Sequence, residues 1–414
     1  MTAATTHADI LNPDVYVGGV PHATFERLRD EDPVSWWPEP GGAGLWSVTR
    51  YDDIVAVSRQ SQIFSSAAGI RIEDMQADEL AARRTLMELD PPAHTTYRRL
   101  VQPPFSFREV ASYEQALRLM ARALIADVRT HTSFDFVDAL ARQLPMRVLG
   151  KLLGVPDADG PWLVSRGDAL IGNSDPEFTA TPVGVADTDA YRLLPFRSPV
   201  SMELFAYAAE QARQRREHPS DDVISLLLRP TRDGAPLSDD EFKNFFTLLV
   251  AAGNDTTRYS IAAGLQALLE HPDHLASLRD DPALMPAAVE EMLRWSTVTM
   301  HFRRTAVQDT ELGGRAIRTG DKVLIWYIAG NFDERRFPDP FTFDIRRAPN
   351  EHLAFGLKSP HKCLGEHLAR LEMRVFFEEL LPALADIRQD GPLARLRSNF
   401  ISGIKRLPVR VVWA

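Results

Sequence analysis

A mainly α-helical fold with small β-sheets is predicted by two features of this sequence. Apolar residues recur at three-and-four spacing through most long segments, and β-type alternation is confined to short runs near the N-terminus, after residue 298 and at the C-terminus. In chain order, 34–50 sets two aromatic-rich apolar runs around Pro40-Gly41-Gly42, the pattern of a β-hairpin. Helical periods follow at 50–58, 110–130, 145–153, 202–217, 239–271, 282–294 and 365–384. Ser238-Asp239-Asp240-Glu241 is a helix-start signal and His271-Pro272 a helix stop. From 298 to 327 short β-type runs are separated by Gly-Gly and Thr-Gly-Asp turns, and 407–413 reads as one more strand. No linker rich in Gly, Ser or Pro and no internal repeat divides the chain, so 1–414 reads as a single domain. The exception is 172–199, which holds Gly, Asp, Thr and Pro without a helical period. A stretch of that length is a functional lid or an unstructured segment, and 170–200 is read as a mobile lid.

The 414 residues are 44% hydrophobic and 25% charged, with a net charge of -10 and one cysteine. That apolar share suffices for a packed core and excludes a disordered chain. The acidic balance argues against nucleic acid as a partner. A single cysteine excludes an internal disulfide and any four-thiolate cluster, which suits a cytoplasmic location. The N-terminus, MTAATTHADILNPDV, shows no basic region followed by an apolar run, so no signal peptide is expected. The most apolar stretch, 245–253, is far shorter than the roughly 20 residues that cross a bilayer, so no membrane is expected as a partner.

The cysteine lies in HLAFGLKSPHKCLGEHLARLEM, where a Gly/Ser/Pro loop leads into Cys363 and a helix follows. A thiol at a helix N-terminus is drawn toward thiolate by free backbone N–H groups and the helix dipole, and Lys358, His361 and Lys362 are expected to add positive charge. Such a thiolate is a metal ligand or a nucleophile; a lone Cys is more often an inert small hydrophobe. A cysteine hydrolase based on Cys363 stays open at this point, since its His base could lie anywhere in the chain.

Three further segments bear on the choice. In the longest helix, Leu248 and Ala251-Ala252-Gly253-Asn254-Asp255-Thr256-Thr257-Arg258 place a glycine, an acid and hydroxyls mid-helix. Gly in a helix interior costs about 1 kcal/mol, and Thr256 can bond the carbonyl of Ala252, so a local kink opening a groove is expected. An Asp255 buried in an apolar helix is expensive unless it handles protons or meets a partner; a solvent-facing polar turn is the plain alternative. Glu291 and Arg294 sit one turn apart, a spacing shared by ordinary surface ion pairs. His94 and Arg98, also one turn apart after Pro91-Pro92, form a fork suited to a carboxylate or phosphate, although such pairs are commonly solvated.

Taken together and in this order, these segments resemble those of the cytochrome P450 superfamily, the heme-thiolate monooxygenases, along almost the whole chain. Phe355-Gly356 through His361, Cys363, Leu364 and Gly365 resembles the heme-binding loop, Ala252 to Thr256 the oxygen-activation motif, Glu291 to Arg294 the Glu-x-x-Arg pair, and His94 with Arg98 the propionate-binding helix. The resemblance implies the cytochrome P450 fold, with heme b (iron protoporphyrin IX) between the long central helix and the Cys-loop helix. It implies Cys363 as the axial metal ligand, Phe355, Ala252 and Gly253 beside the cofactor, and His94, Arg98, Arg304 and His361 against the propionates. Asp255 and Thr256 then supply the protons that activation of O2 consumes, while Glu291 and Arg294 are structural.

Two departures from the family pattern stand out. Gly356 is the only glycine of the loop before Cys363, so fewer positive-φ positions are expected there. Thr342 stands where many members have an arginine that bonds the Glu-x-x-Arg pair; Arg346 or Arg336 is the expected substitute.

By family position the substrate pocket is lined by Ile70, Ile72, Met75, Leu248, Ala252, Val298, Met300, Phe400 and Ile401, all apolar or small. The chain most resembles the actinobacterial group that oxidises sterols, branched lipids and terpenoids, and hydroxylation of such a lipophile at an unactivated C–H bond is the implied activity. No flavin fingerprint and too few cysteines for a cluster imply a separate ferredoxin and ferredoxin reductase, with NAD(P)H as the electron source. Lys358 and Lys362 mark the basic patch that would steer an acidic ferredoxin. The alternatives are a peroxygenase driven by hydrogen peroxide, against which the Asp255–Thr256 pair argues, and a heme- or lipophile-binding protein without catalysis.

Overall fold

The computed structural model describes residues 8–39, 42–230 and 236–414. Part of the N-terminal segment read for a signal and Pro40-Gly41 of the hairpin turn lie outside these residues. The first part of the chain holds helices α1 (His22–Glu31), α2 (Tyr51–Arg59), α3 (Ala77–Arg83), α4 (Ala93–Val101), α5 (Phe107–Ser112) and α6 (Glu114–Val128). Then come α7 (Gln143–Leu153), α8 (Gly160–Ile171), α9 (Val200–Glu217), α10 (Val223–Leu227) and α11 (Asp239–Glu270). The last are α12 (Pro272–Asp280), α13 (Met285–Ser296), the single turn α14 (Tyr327–Gly330) and α15 (Glu366–Leu380). The expected 110–130 helix is split at Tyr113 into α5 and α6, and the 365–384 segment turns from helix to strand after Leu381–Ala383. Helices α1, α3, α8, α10 and α12 were not among the expected elements.

The strands β1 (Val34–Trp37), β2 (Leu45–Val48), β3 (Phe64–Ser65), β5 (His301–Ala306) and β8 (Lys322–Trp326) form one sheet in the order β1-β2-β8-β5-β3. β1 and β2 are the predicted hairpin, pairing Val34 with Val48 and Trp37 with Leu45. β2 runs parallel to β8, so the N-terminal hairpin is stitched to a strand from the last third of the chain. β4 (Ser133–Asp135) and β9 (Leu384–Gln389) flank β12 (Pro408–Trp413), and β6 (Thr310–Leu312) with β7 (Arg315–Ile317) and β10 (Ala394–Arg395) with β11 (Ile404–Arg406) are two-stranded ribbons.

Helix α11 organises the rest. A capping box fixes its start, Ser238 accepting from Glu241 N–H while Glu241 accepts from Ser238 N–H. One side packs on α8, α9 and α7 and another on α13 and α15, so it lies in the middle of the helical layer with much of its length buried. The hydrogen-bonded helix continues without a break through Gly253, where a kink was expected. The glycine serves closeness instead: a Cβ there would sit 3.0 Å from a Leu149 methyl on α7. Segment 172–199 is packed, with 3-10 turns at Asp189–Tyr191 and Pro195–Arg197 and with Asn173, Asp175, Thr188 and Ser198 buried.

Candidate active site

The Cys363 loop is shaped by its backbone. Gly356 donates to Leu353 O and Cys363 N–H to Phe355 O, both at 2.8 Å, which folds the loop back before α15 starts at Glu366. Gly356 and Lys358 both have positive φ, 71° and 61°. The loop therefore keeps two left-handed positions, the second on a lysine, which corrects the expectation from its glycine content. Arg370 of α15 lies over the Phe355 ring at 4.6 Å and pairs with Glu290.

Desolvation by the surrounding chain pushes the Cys363 thiol above its ordinary value even though the residue keeps an exposed face, against the Gly365 N–H and the charge of Arg98, which pull it down. The Gly365 N–H and Arg98 act in the direction expected from a place before a helix, and desolvation outweighs them. His361 adds no charge, because burial and the neighbouring Arg304 lower it to about 2. Lys362 is ion-paired with Glu366. Only Lys358 of the expected basic trio is exposed and without an ion pair among the described residues.

Beside this loop, His94 and His361 lie ring to ring at 4.3 Å, and Arg98 and Arg304 are close enough to depress both imidazoles. His94 is lowered to about 4, mainly by burial. Its Nε2 is buried without a hydrogen-bond partner, and Arg304, 3% exposed, spends one N–H on Arg303 O at 2.7 Å. Of the acids beside this cluster, Asp90 is occupied by Ser65 Oγ and Ser66 N–H, and Glu366 is paired with Lys362 and Arg370. A cluster of two arginines and two imidazoles, buried at His94 and Arg304 and half-buried at Arg98 and His361, with its neighbouring acids already engaged, is built to receive anionic oxygens.

Glu291 and Arg294 are wholly buried and joined by a two-pronged pair at 2.8 and 2.7 Å. Arg294 also donates to Asn331 O and Pro340 O, and Glu291 accepts from Asp344 N–H and Asn350 Nδ2. The third charged partner is Arg347, at 3.2 Å from the Glu291 carboxylate, with further bonds to Pro338 O, Asp339 O and Thr342 O. Neither expected substitute is used. Arg336 turns to Glu351, and Arg346 points to solvent because the bend at Asp344 presents the next residue inward.

On α11, Thr256 Oγ1 donates to Ala252 O at 2.7 Å, as expected, and both residues border the main cavity. Asp255 faces the other way. It is fully buried against α8, with Oδ1 taking Asn254 Nδ2 at 2.8 Å and Arg258 Nη2 at 3.1 Å, while Oδ2 has no partner. Arg258 also donates to Asp168 at 2.5 Å, and Arg142 holds the same aspartate. Burial, outweighing Arg258, raises Asp255 well above the carboxylate range.

The cavity is bordered by Ile70, Met75, Leu248, Ala252, Phe400 and Ile401 as expected. Ile72, Val298 and Met300 do not reach it. Strand-like alternation turns Thr299 to the cavity and sends Val298 and Met300 into the core, and Ile72 packs on the cluster around Trp326. Residues not anticipated at the cavity include Arg71, Arg83, Phe196, Arg197 and Asn244. A charge inside the apolar run Ile70-Arg71-Ile72 was the one available signal for Arg71.

The cytochrome P450 family profile matches residues 200–385, and linalool 8-monooxygenase of Pseudomonas putida is 38% identical over 98% of each chain. The chain belongs to the cytochrome P450 family. The methyl-branched lipid omega-hydroxylase of Mycobacterium tuberculosis is 40% identical over 93% of this chain and 90% of its own. A solved Mycobacterium marinum cytochrome P450 in complex with pseudoionone superposes with a TM-score of 0.88 at 37% identity, covering 99% of this chain and 100% of that one. This P450 is a monooxygenase with heme b as its prosthetic group, and the hydrolase reading of Cys363 falls away. The residues present fit that group: the unpartnered His94 Nε2 and the acid-poor Arg98–Arg304 cluster suit two propionates, and the lone thiol suits the iron.

Proposed function

We propose that this P450 inserts one oxygen atom of O2 into an unactivated C–H bond of a lipophile of the branched-lipid, terpenoid or sterol class, with electrons from NAD(P)H through a ferredoxin reductase and a ferredoxin. The observation that carries this reading is the mostly apolar cavity onto which Ala252 and Thr256 open together. Relatives named for linalool and for methyl-branched lipids support the class.

Heme b, when bound, supplies O2 activation and oxygen transfer. Cys363 would hold its iron, with metal binding removing the thiol proton that burial otherwise retains. His94, Arg98, Arg304 and His361 would hold its carboxylates. Thr256 Oγ1, fixed by its bond to Ala252 O, keeps its lone pairs free to accept a hydrogen bond from the cavity, and it hands on its own proton only as that bond to Ala252 O is given up. Asp255 stores the proton at its unpartnered carboxyl, and its turn away from Arg258 and Asp168 is the step that brings it to Thr256. The apolar walls exclude water, and the packed 172–199 segment, which contributes Pro195 to Arg197 to the cavity, is the lid. Lys358 is the exposed cation of the ferredoxin-facing loop.

Two experiments test this. The dithionite-reduced, CO-bound protein should show the red-shifted Soret band of a thiolate ligand, and Cys363→Ser should abolish it. Thr256→Ala should keep that band while product per NAD(P)H falls several-fold and peroxide rises. A screen in which terpenoids, branched lipids and sterols all fail to shift the Soret band would sink the substrate class, and faster turnover with peroxide than with ferredoxin would replace the electron-transfer reading.

A further inference from the structure

Arg71 is the odd residue of the cavity. Its guanidinium lies over the Phe400 ring at 4.5 Å and the Phe196 ring at 5.4 Å, and among the described residues it makes neither an ion pair nor a hydrogen bond. The other arginines of the cavity are ion-paired: Arg83 and Arg197 share Glu79 at 3.0 and 2.7 Å. Nearby acids do not neutralise Arg71 by contact. Glu73 and Glu88 both border the cavity, but Glu88 is held by Thr85 N–H and Oγ1, and Glu73 is exposed. Arg71 also stands apart from the propionate-type cluster, since its charge bears on His301, whereas Arg98 and Arg304 bear on His94 and His361.

The backbone around it is unusual. Phe196 and Arg197 are consecutive non-glycine residues with φ of 59° and 49°, a conformation that side chains disfavour and that surroundings must hold in place. The result is that Phe196 from the 172–199 segment and Phe400 from near the C-terminus clasp one cation. Aromatic faces attract a guanidinium but leave its N–H edge unused. A planar donor edge in a mostly apolar cavity matches a carboxylate, for which the charge-assisted bond is strong.

We propose that Arg71 anchors a carboxylate carried by the substrate, so that the molecule oxidised is an apolar acid with its chain along the wall that includes Leu248 and Ala252. This rests on the reading of the cavity as the site of a lipophilic substrate. The partner chemistry is one carboxylate on a hydrocarbon body.

The test is isothermal titration of the heme-loaded protein with farnesoate, methyl farnesoate, dodecanoate and methyl dodecanoate, with the Soret shift as a parallel readout. In the wild type each acid should bind at least about 10-fold more tightly than its ester, and Arg71→Met should weaken acid binding by about 10- to 100-fold while leaving the ester within about 3-fold. Arg71→Gln, judged folded by its CO spectrum, stands in if Arg71→Met does not fold. Esters binding as well as acids in the wild type, or an acid preference that survives loss of Arg71, would overturn the anchor and leave the lipophilic site standing. No binding by any of the four ligands overturns both.

Discussion

Thr256 and Asp255 are neighbours in sequence that face opposite sides of α11, because successive residues on a helix are turned by about 100°. Thr256 borders the cavity, and Asp255 is locked to Arg258. The same rule of direction selects Arg347 over Arg346 beneath Glu291. Arg347→Ala leaves the buried Glu291–Arg294 pair short of one cation and three carbonyls without their donor, and should cost roughly 3 kcal/mol with a matching loss of bound heme. Arg346→Ala and Arg336→Ala, which remove partly exposed side chains, should each stay within about 1 kcal/mol. Thermal melts alongside heme content per chain separate the three variants; equal losses would show that Arg347 has no special place.

Elements are tied together by charge as well as by packing. Asp168 of α8 binds Arg142, which leads into α7, and Arg258 of α11, so one carboxylate joins three helices. Replacing it as Asp168→Asn takes one carboxylate from each arginine while leaving Arg258 with Asp255 and Arg142 with Asp138, and a loss of roughly 2 kcal/mol in unfolding free energy is expected. The same change removes a negative charge that helps raise Asp255. Any acidic limb of turnover that reports Asp255 should therefore move to lower pH in Asp168→Asn, as read from product formation against pH. An unmoved limb would mean that Asp255 does not titrate in turnover.

Over the whole molecule, one buried acid makes stability depend on pH. Glu372 of α15 is 2% exposed, and burial raises it from 4.5 to about 8. Between those values the unfolded chain has released a proton that the folded chain keeps. Stability attributable to this group therefore falls as pH rises through that window, and levels off above about 8. Glu372→Gln should leave the melting temperature at pH 5 unchanged and raise it at pH 8 by roughly 2–4 °C. A variant that is no more stable at pH 8 than the parent would show that the carboxyl finds a partner when ionised.

The four motif segments, their order and the helical class were legible from residues alone, since each depends on spacing within one helix or one loop. Ser238 and Glu241 cap α11, Thr256 bonds Ala252, and Glu291 meets Arg294 at the separations a helix imposes. Directions and long-range partners were not legible. That Gly253 admits Leu149, that Arg347 serves Glu291, that Val298 and Met300 turn inward, and that His361 is neutral all depend on segments far away in the chain. The amino-acid sequence by itself determined the family, the fold class and the principal helices, because local periodicity and short-range chemistry encode them. Tertiary structure alone decided which side chains share the cavity and how buried each charge is, because burial and desolvation belong to the packed whole, and Arg71 between Phe196 and Phe400 exists only there.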